Sequence, residues 1–347
     1  MNSIRALIQD EGVAAVKLVN ELEPVEGWDL SLFPATYPVA DKAKVHRFDT
    51  PYTINELKDG RRVATLDSVQ SQANRMEQVF SDTHRDAVPE VTVTAGERTV
   101  HLTELPHRVA DAAIRVSDLQ EEIRAAFEAY DAGDPLPIAK LGPTALVFGA
   151  WDSRDTRVRI PRLLRSEIHA WDVDVFTRSA QFAGTFSREE LGFTEKEWKE
   201  GAEIGFAPTP SVDQHGGIVV HGSIRHTASL HLGAVRQLDR STPGLGAYIF
   251  GLALTALWAA CRDYQLRTGC WLVQKGEPQL ESISRTGEHT PVEMNADGVA
   301  DYLYSEALPA ARDLGIPLGE EHSRSATYSP ESGKKLLKQA KKSNNEG

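Results

Sequence analysis

Residues 151–172 read WDSRDTRVRIPRLLRSEIHAWD. Five arginines, Arg154, Arg157, Arg159, Arg162 and Arg165, fall inside this stretch, with only Asp155 between the first and the last. In TRVRI the apolar residues recur every second position, so a strand would send Arg157 and Arg159 to one face and bury Val158 and Ile160 on the other. Beyond Pro161, RLLRSEI has Arg162 and Arg165 at the i, i+3 spacing of a helix, with Leu163, Leu164 and Ile168 available for burial. Read this way, the segment is a strand that passes into a helix and presents a line of guanidinium groups. A guanidinium offers phosphate oxygens a planar fork of donors, which suits a nucleic-acid backbone better than an ammonium does. The alternative is a solvated face whose arginines pair with Asp152, Asp155 or Glu167.

Upstream, TALVFGAW reads as a compact buried strand leading into the arginines. TLDSVQSQANRMEQVF predicts a helix with Asp67 as its cap and Gln70 as the reciprocal partner. At 100° per residue, Ser68, Ser71, Gln72 and Arg75 gather on one side of it, and Val69, Ala73, Met76 and Phe80 on another. Val91 to Leu102, VTVTAGERTVHL, alternates on both sides of a glycine turn and predicts a hairpin. HRVADAAIR and SDLQEEIRAAFEAYDAG predict helices. In SIRHTASLHL, Ile224, Ala228, Leu230 and Leu232 share one parity and Arg225, Thr227, Ser229 and His231 the other, the mark of a half-buried strand. GGIVVHG and GCWLVQ are further strand candidates, the second read as interior. The N-terminal residues predict a first helix followed by an irregular, proline-rich stretch that includes LFPATYPVADKAKVHRFDTPY. LGAYIFGLALTALWAAC predicts a buried helix packed through small residues, too short for a membrane span, and GVADYLYSEALPAARDLG a helix interrupted at Pro309.

The 347 residues are 41% hydrophobic and 25% charged, with a formal net charge of -12, the composition of a globular protein and not of one that coats nucleic acid indiscriminately. A local basic track on an anionic molecule remains open. MNSIRALIQDEG resembles no secretory signal, and two cysteines make no disulfide framework, so a cytoplasmic location is expected. No zinc spacing, dinucleotide fingerprint, P-loop or nucleophile elbow occurs, and no cofactor or metal is expected. The irregular alternation of strands and helices predicts an α+β fold with insertions: one domain over residues 1–330 and a lysine-rich, unstructured tail over 331–347.

Together, FPATYP, LDSVQSQANRMEQVF, HRVADAAIR, WDSRDTRVRIPRLLRSEIHAWDV, GGIVVHGSIR and YIFGLALTALWAACRDYQLRTGCWLV, in that order, resemble the RAMP-superfamily backbone subunits of CRISPR interference complexes, the seventh Cas family in its type I-G form, formerly I-U. The resemblance implies an RRM-like (ferredoxin-like) palm with inserted helices and β-hairpins, a non-catalytic subunit that polymerises along a guide RNA (crRNA). The guide would then be presented for pairing with target DNA beside other effector subunits, with no membrane partner. It implies RNA contacts at Ser71, Gln72 and Arg75, with Ser68 and Asn74 nearby, and gives a use to Arg157 and Arg159, then Arg162 and Arg165; Arg225 joins them from its strand. The Val91 to Leu102 hairpin would be the element that kinks the guide. The competing reading is a RAMP-type endoribonuclease, using a metal at Asp152 or Asp155 or the imidazole of His169.

Overall fold

The computed structural model describes residues 3–37 and 50–345; most of the proline-rich stretch, 38–49, lies outside the described residues. A nine-stranded sheet is built from β1 (Val13–Pro24), β2 (Ile54–Glu56), β3 (Arg62–Asp67), β4 (Leu164–Trp171), β5 (Ile224–His231), β6 (Tyr264–Arg267), β7 (Cys270–Gln274), β8 (Gln279–Ser284) and β9 (His289–Pro291). Its order is β6-β7-β1-β5-β4-β3-β2, with β8 pairing β1 and carrying β9. Every pairing is antiparallel.

The chain passes from β1 through helices to β4, turns back as β5 between them, and returns through a second helical crossover to β7 and β8 on the other side of β1. This is the split β-α-β order of a ferredoxin-like, RRM-like palm. Alternation decides which face is covered. Val16, Leu18 and Leu22 of β1, Ile224, Ala228 and Leu230 of β5, and Leu164, Ile168 and Ala170 of β4 are all buried on one side. Arg165, Arg225 and Ser229 emerge on the other. The covered side receives the Val69–Glu77 helix and the Leu245–Ala259 helix, which is buried nearly throughout. Each fully buried Leu or Phe there contributes roughly 1.5–3 kcal/mol by leaving water. Gly251 permits the close approach of the last helices, because a Cβ there would lie 2.4 Å from that of Ala307. The predicted interruption at Pro309 takes the form of a π turn over Leu303–Ala307, which absorbs the proline's missing donor before the helix resumes at Leu308–Asp313.

Several elements differ from the sequence reading. RLLRSEI is not helical: from Leu164 onward it is β4, held on both sides by β5 and β3, so Arg162 and Arg165 do not share a helix face. TALVFGAW is the Thr144–Phe148 helix followed by the two-residue strand Ala150–Trp151. Between them Gly149 adopts φ 80°, where a Cβ would meet the Ile160 carbonyl at 3.0 Å. The GCWLVQ strand is half exposed through Trp271 and Val273.

The hairpin at Val91 to Leu102 forms, as Pro89–Ala95 with Arg98–His101, and packs its first strand in parallel against Gly319–Thr327 instead of standing free. A longer hairpin, Val173–Phe182 with Thr209–Val220, is exposed along most of its first strand. The lysine-rich end, read as tail, is helical over Pro330–Asn345. Among the described residues no helix is long and apolar enough to cross a membrane.

Candidate nucleic-acid interface

The arginine segment closes a small ladder in which Ala150 and Trp151 pair with Ile160 and Arg159. The turn between them is organised by Asp152, whose carboxylate accepts from the Thr156 amide and hydroxyl, both at 2.9 Å, while its carbonyl accepts from the Arg157 amide at 2.9 Å. These bonds hold Arg157 at φ 65°. Val158 and Ile160 are buried, and Arg157 and Arg159 exposed, as the period of two requires.

The two acids of the turn, Asp152 and Asp155, pair with arginines from outside the segment. Asp152, buried, pairs with Arg115 at 3.1 Å, and Asp155 with Arg124 at 3.0 Å. Among the described residues, Arg154, Arg157 and Arg159 therefore have no carboxylate partner. Arg162 donates to the Phe148 carbonyl at 3.0 Å and to the Gln70 side chain at 3.1 Å. Burial, together with Arg108 and Arg165 nearby, lowers its pKa.

A cleft of about 820 Å³ opens beside the ladder, lined by Arg108, Arg115, Arg154, Arg159, Arg162 and Trp151 among others, and by no Asp or Glu. Its floor is Arg108, buried at φ 56° on the face of Phe148, 5.0 Å from the ring centroid. Arg108 is ion-paired with the buried Glu77 at 2.7 Å. Burial outweighs that partner and pushes the Glu77 carboxyl up to about 7. With Arg108 and Arg115 balanced by acids behind the lining, the unpaired Arg154 and Arg159 and the half-buried Arg162 are what focus positive potential in the cleft on an otherwise anionic molecule.

The helix expected to lie under RNA turns its polar side inward. Its cap is Ser68, whose hydroxyl accepts from the Ser71 amide at 3.3 Å, and not Asp67, which is the last residue of β3. Asp67 is buried and accepts from Gln72 at 2.7 Å, Arg75 at 3.0 Å and Arg267 at 3.3 Å. Arg75 donates in addition to the Leu266 carbonyl.

From this carboxylate a single proton arrangement follows along a buried chain. Asp67 only accepts, so the Gln72 amide nitrogen faces it and the Gln72 oxygen accepts from Ser166 at 2.9 Å. Ser166, having donated its proton, accepts from His226 Nε2 at 2.7 Å. His226 Nδ1 then accepts from the Tyr264 hydroxyl at 2.9 Å, and Tyr264 accepts from Asn20 at 2.8 Å. Burial depresses the His226 pKa to about 4, consistent with the neutral ring. Gln72 and Arg75 are thus tied into the interior by an acid, and of the expected helix contacts only Ser68, Ser71 and Asn74 keep partial exposure without an ion pair among the described residues. Asn74 accepts from Gln70 at 3.1 Å and from Arg108 at 3.5 Å, which joins the helix to the cleft.

The open sheet face is charge-balanced. Arg225 pairs with Glu21 across the strands at 2.6 Å, and Arg165 with Glu167 at 2.8 Å. His169 lies 3.9 Å from Glu167, and burial lowers its pKa. Among the described residues no group of three or more His, Cys, Asp or Glu is placed to hold a metal ion.

Of the sequence-derived residues, Arg159 and Arg162 meet in the cleft with Arg157 exposed nearby, whereas Arg165 and Arg225 sit on the open face. Gln70, Arg108, Arg115, Trp151 and Arg154 also line the cleft and were not expected there. Trp151 and Arg154 stood within the quoted segment; Arg108 and Arg115 are brought in only by tertiary folding.

Residues 16–175 match the sequence profile of a family described as CRISPR-associated protein GSU0053, a span that contains both the buried chain's helix and the whole arginine segment. No curated protein matches the chain significantly. Solved structures similar to it include a chain of a "CRISPR RNA-guided surveillance complex, pre-nicking", 10% identical, covering 94% of this chain and 100% of that chain at a TM-score of 0.39. Csm3 of Methanopyrus kandleri is 13% identical over 85% of this chain and 88% of that one, at a TM-score of 0.29.

Proposed function

We propose that a chain bearing this CRISPR-associated match is a guide-RNA-binding backbone subunit of a type I-G interference complex. In this reading it is a scaffold and not a nuclease: copies line up along the guide, hold its phosphates in the arginine cleft, and leave bases free to pair with target DNA beside other effector subunits. The observation that carries the reading is the acid-free cleft, lined by Arg108, Arg115, Arg154, Arg159 and Arg162 on a protein of net charge -12. Arg108 and Arg115 are already paired with Glu77 and Asp152 behind the lining, whereas Arg154 and Arg159, without carboxylate partners among the described residues, are free to pair with phosphate, and repetition of a few contacts per copy converts modest affinity into tight binding. Of the two acids considered for a metal-dependent cut, Asp152 is committed to Thr156 and Arg115 and Asp155 to Arg124.

The test is binding of a guide transcript as a function of salt. Wild-type affinity should fall steeply with ionic strength, and the R157A/R159A double variant should lower the slope by about 1–2 units while leaving stability within about 0.5 kcal/mol. Full RNA retention by the double variant would remove this site assignment. Labelled guide should stay intact with and without magnesium; cleavage would return the nuclease reading.

A further inference from the structure

Trp151 is 51% exposed and belongs to neither hydrophobic core, so the fold makes little use of its indole. The ring is nonetheless well placed. Its strand is locked by the ladder to Arg159 and by the tight packing of Gly149 against the Ile160 carbonyl. The Arg159 guanidinium lies over the ring, 4.2 Å from its centroid. Arg154 and Arg162 line the same cleft, and no carboxylate does.

We propose that Trp151 is a stacking platform for one unpaired nucleobase. The base would pack on the ring face that Arg159 leaves open, while Arg154 and Arg162 take the flanking phosphates. This deepens, and rests on, the RNA-binding reading above. The physical basis is that every base has a π-face, that an indole offers the largest complementary surface of any side chain, and that a cation on the opposite side of the ring holds it in position. Recognition of this kind is tolerant of base identity, as a guide of changing sequence requires.

The experiment compares wild type, W151A and W151F in binding a short oligouridylate and an abasic ribose-phosphate strand of the same length, at low salt. W151A should weaken oligouridylate roughly tenfold, within the range of about 5- to 150-fold for loss of one stacked base. W151F should recover most of that loss, and all three proteins should bind the abasic strand equally and melt together. Unchanged oligouridylate binding in W151A, or an equal loss on the abasic strand, would overturn the platform. A change in subunit association without RNA would overturn it in favour of a protein contact. Failure of the wild type to bind either strand would sink the RNA-binding reading itself.

Discussion

The Val69–Glu77 helix and residues 154–162 both carry clusters of polar and cationic side chains, and they differ in what lies behind them. Behind the helix sits Asp67, a buried carboxylate, which draws in Gln72, Arg75 and Arg267. Behind the arginine segment the acids are already taken: Asp152 by Arg115 and Asp155 by Arg124. Arg154, Arg157 and Arg159 are left facing water. A polar residue type does not determine whether a side chain binds a ligand or the protein itself; the placement of the nearest anion does.

Breaking the buried side should have the largest effect. D67A leaves two guanidinium groups and a buried amide without their acceptor and should cost about 3 kcal/mol, read as a fall in urea midpoint. RNA affinity per folded molecule should be unchanged. A large loss of RNA affinity with unchanged stability would instead make this helix the binding surface and reverse the comparison.

The buried chain should also leave a mark in pH. The His226 pKa is depressed from 6.5 to about 4 in the folded protein, so its contribution is present above pH 6.5 and is lost as pH falls toward 4, on the order of 3 kcal/mol in all. Glu77 acts in the opposite sense, its carboxyl raised from 4.5 to about 7, so the stability it allows declines as pH rises through that window. Stability profiles of wild type and H226Q share the Glu77 contribution. Their difference should isolate the acid-side loss; parallel profiles would mean that His226 is not held neutral.

The smallest effect belongs to the open sheet face. R225A removes an exposed pair with Glu21, and about 0.2–1 kcal/mol of stability with no change in RNA binding is expected. A clear loss of RNA binding would extend the interface from the cleft onto the sheet.

Much of the palm was legible where local pattern and tertiary role coincide. β5 alternates as written, and Val158 and Ile160 bury between exposed arginines. The central strand β1 was not legible. Asn20 occupies a buried position in its alternation, where its amide nitrogen donates to Tyr264, 244 residues away. Ser166 hides β4 in the same way: in isolation it breaks the apolar period, and in the fold it is satisfied by Gln72 and His226. The arginine site was half legible. Its exposed members follow from a period of two, but its floor and far wall, Arg108 and Arg115, depend on how a separate helical segment folds back.

The long hairpin begins after Asp172 and ends before His221, whose amide donates to the Asp172 carbonyl at 2.8 Å. β4 and β5, on either side, are paired neighbours in the sheet already. Exit and re-entry are therefore fastened together and the base is anchored by the buried Val173, Ile218 and Val220, so the exposed outer part can lengthen, shorten or change its tip without disturbing strand order beneath it. The architecture thus separates a fixed frame from an adjustable arm, leaving reach as a quantity that can vary on its own.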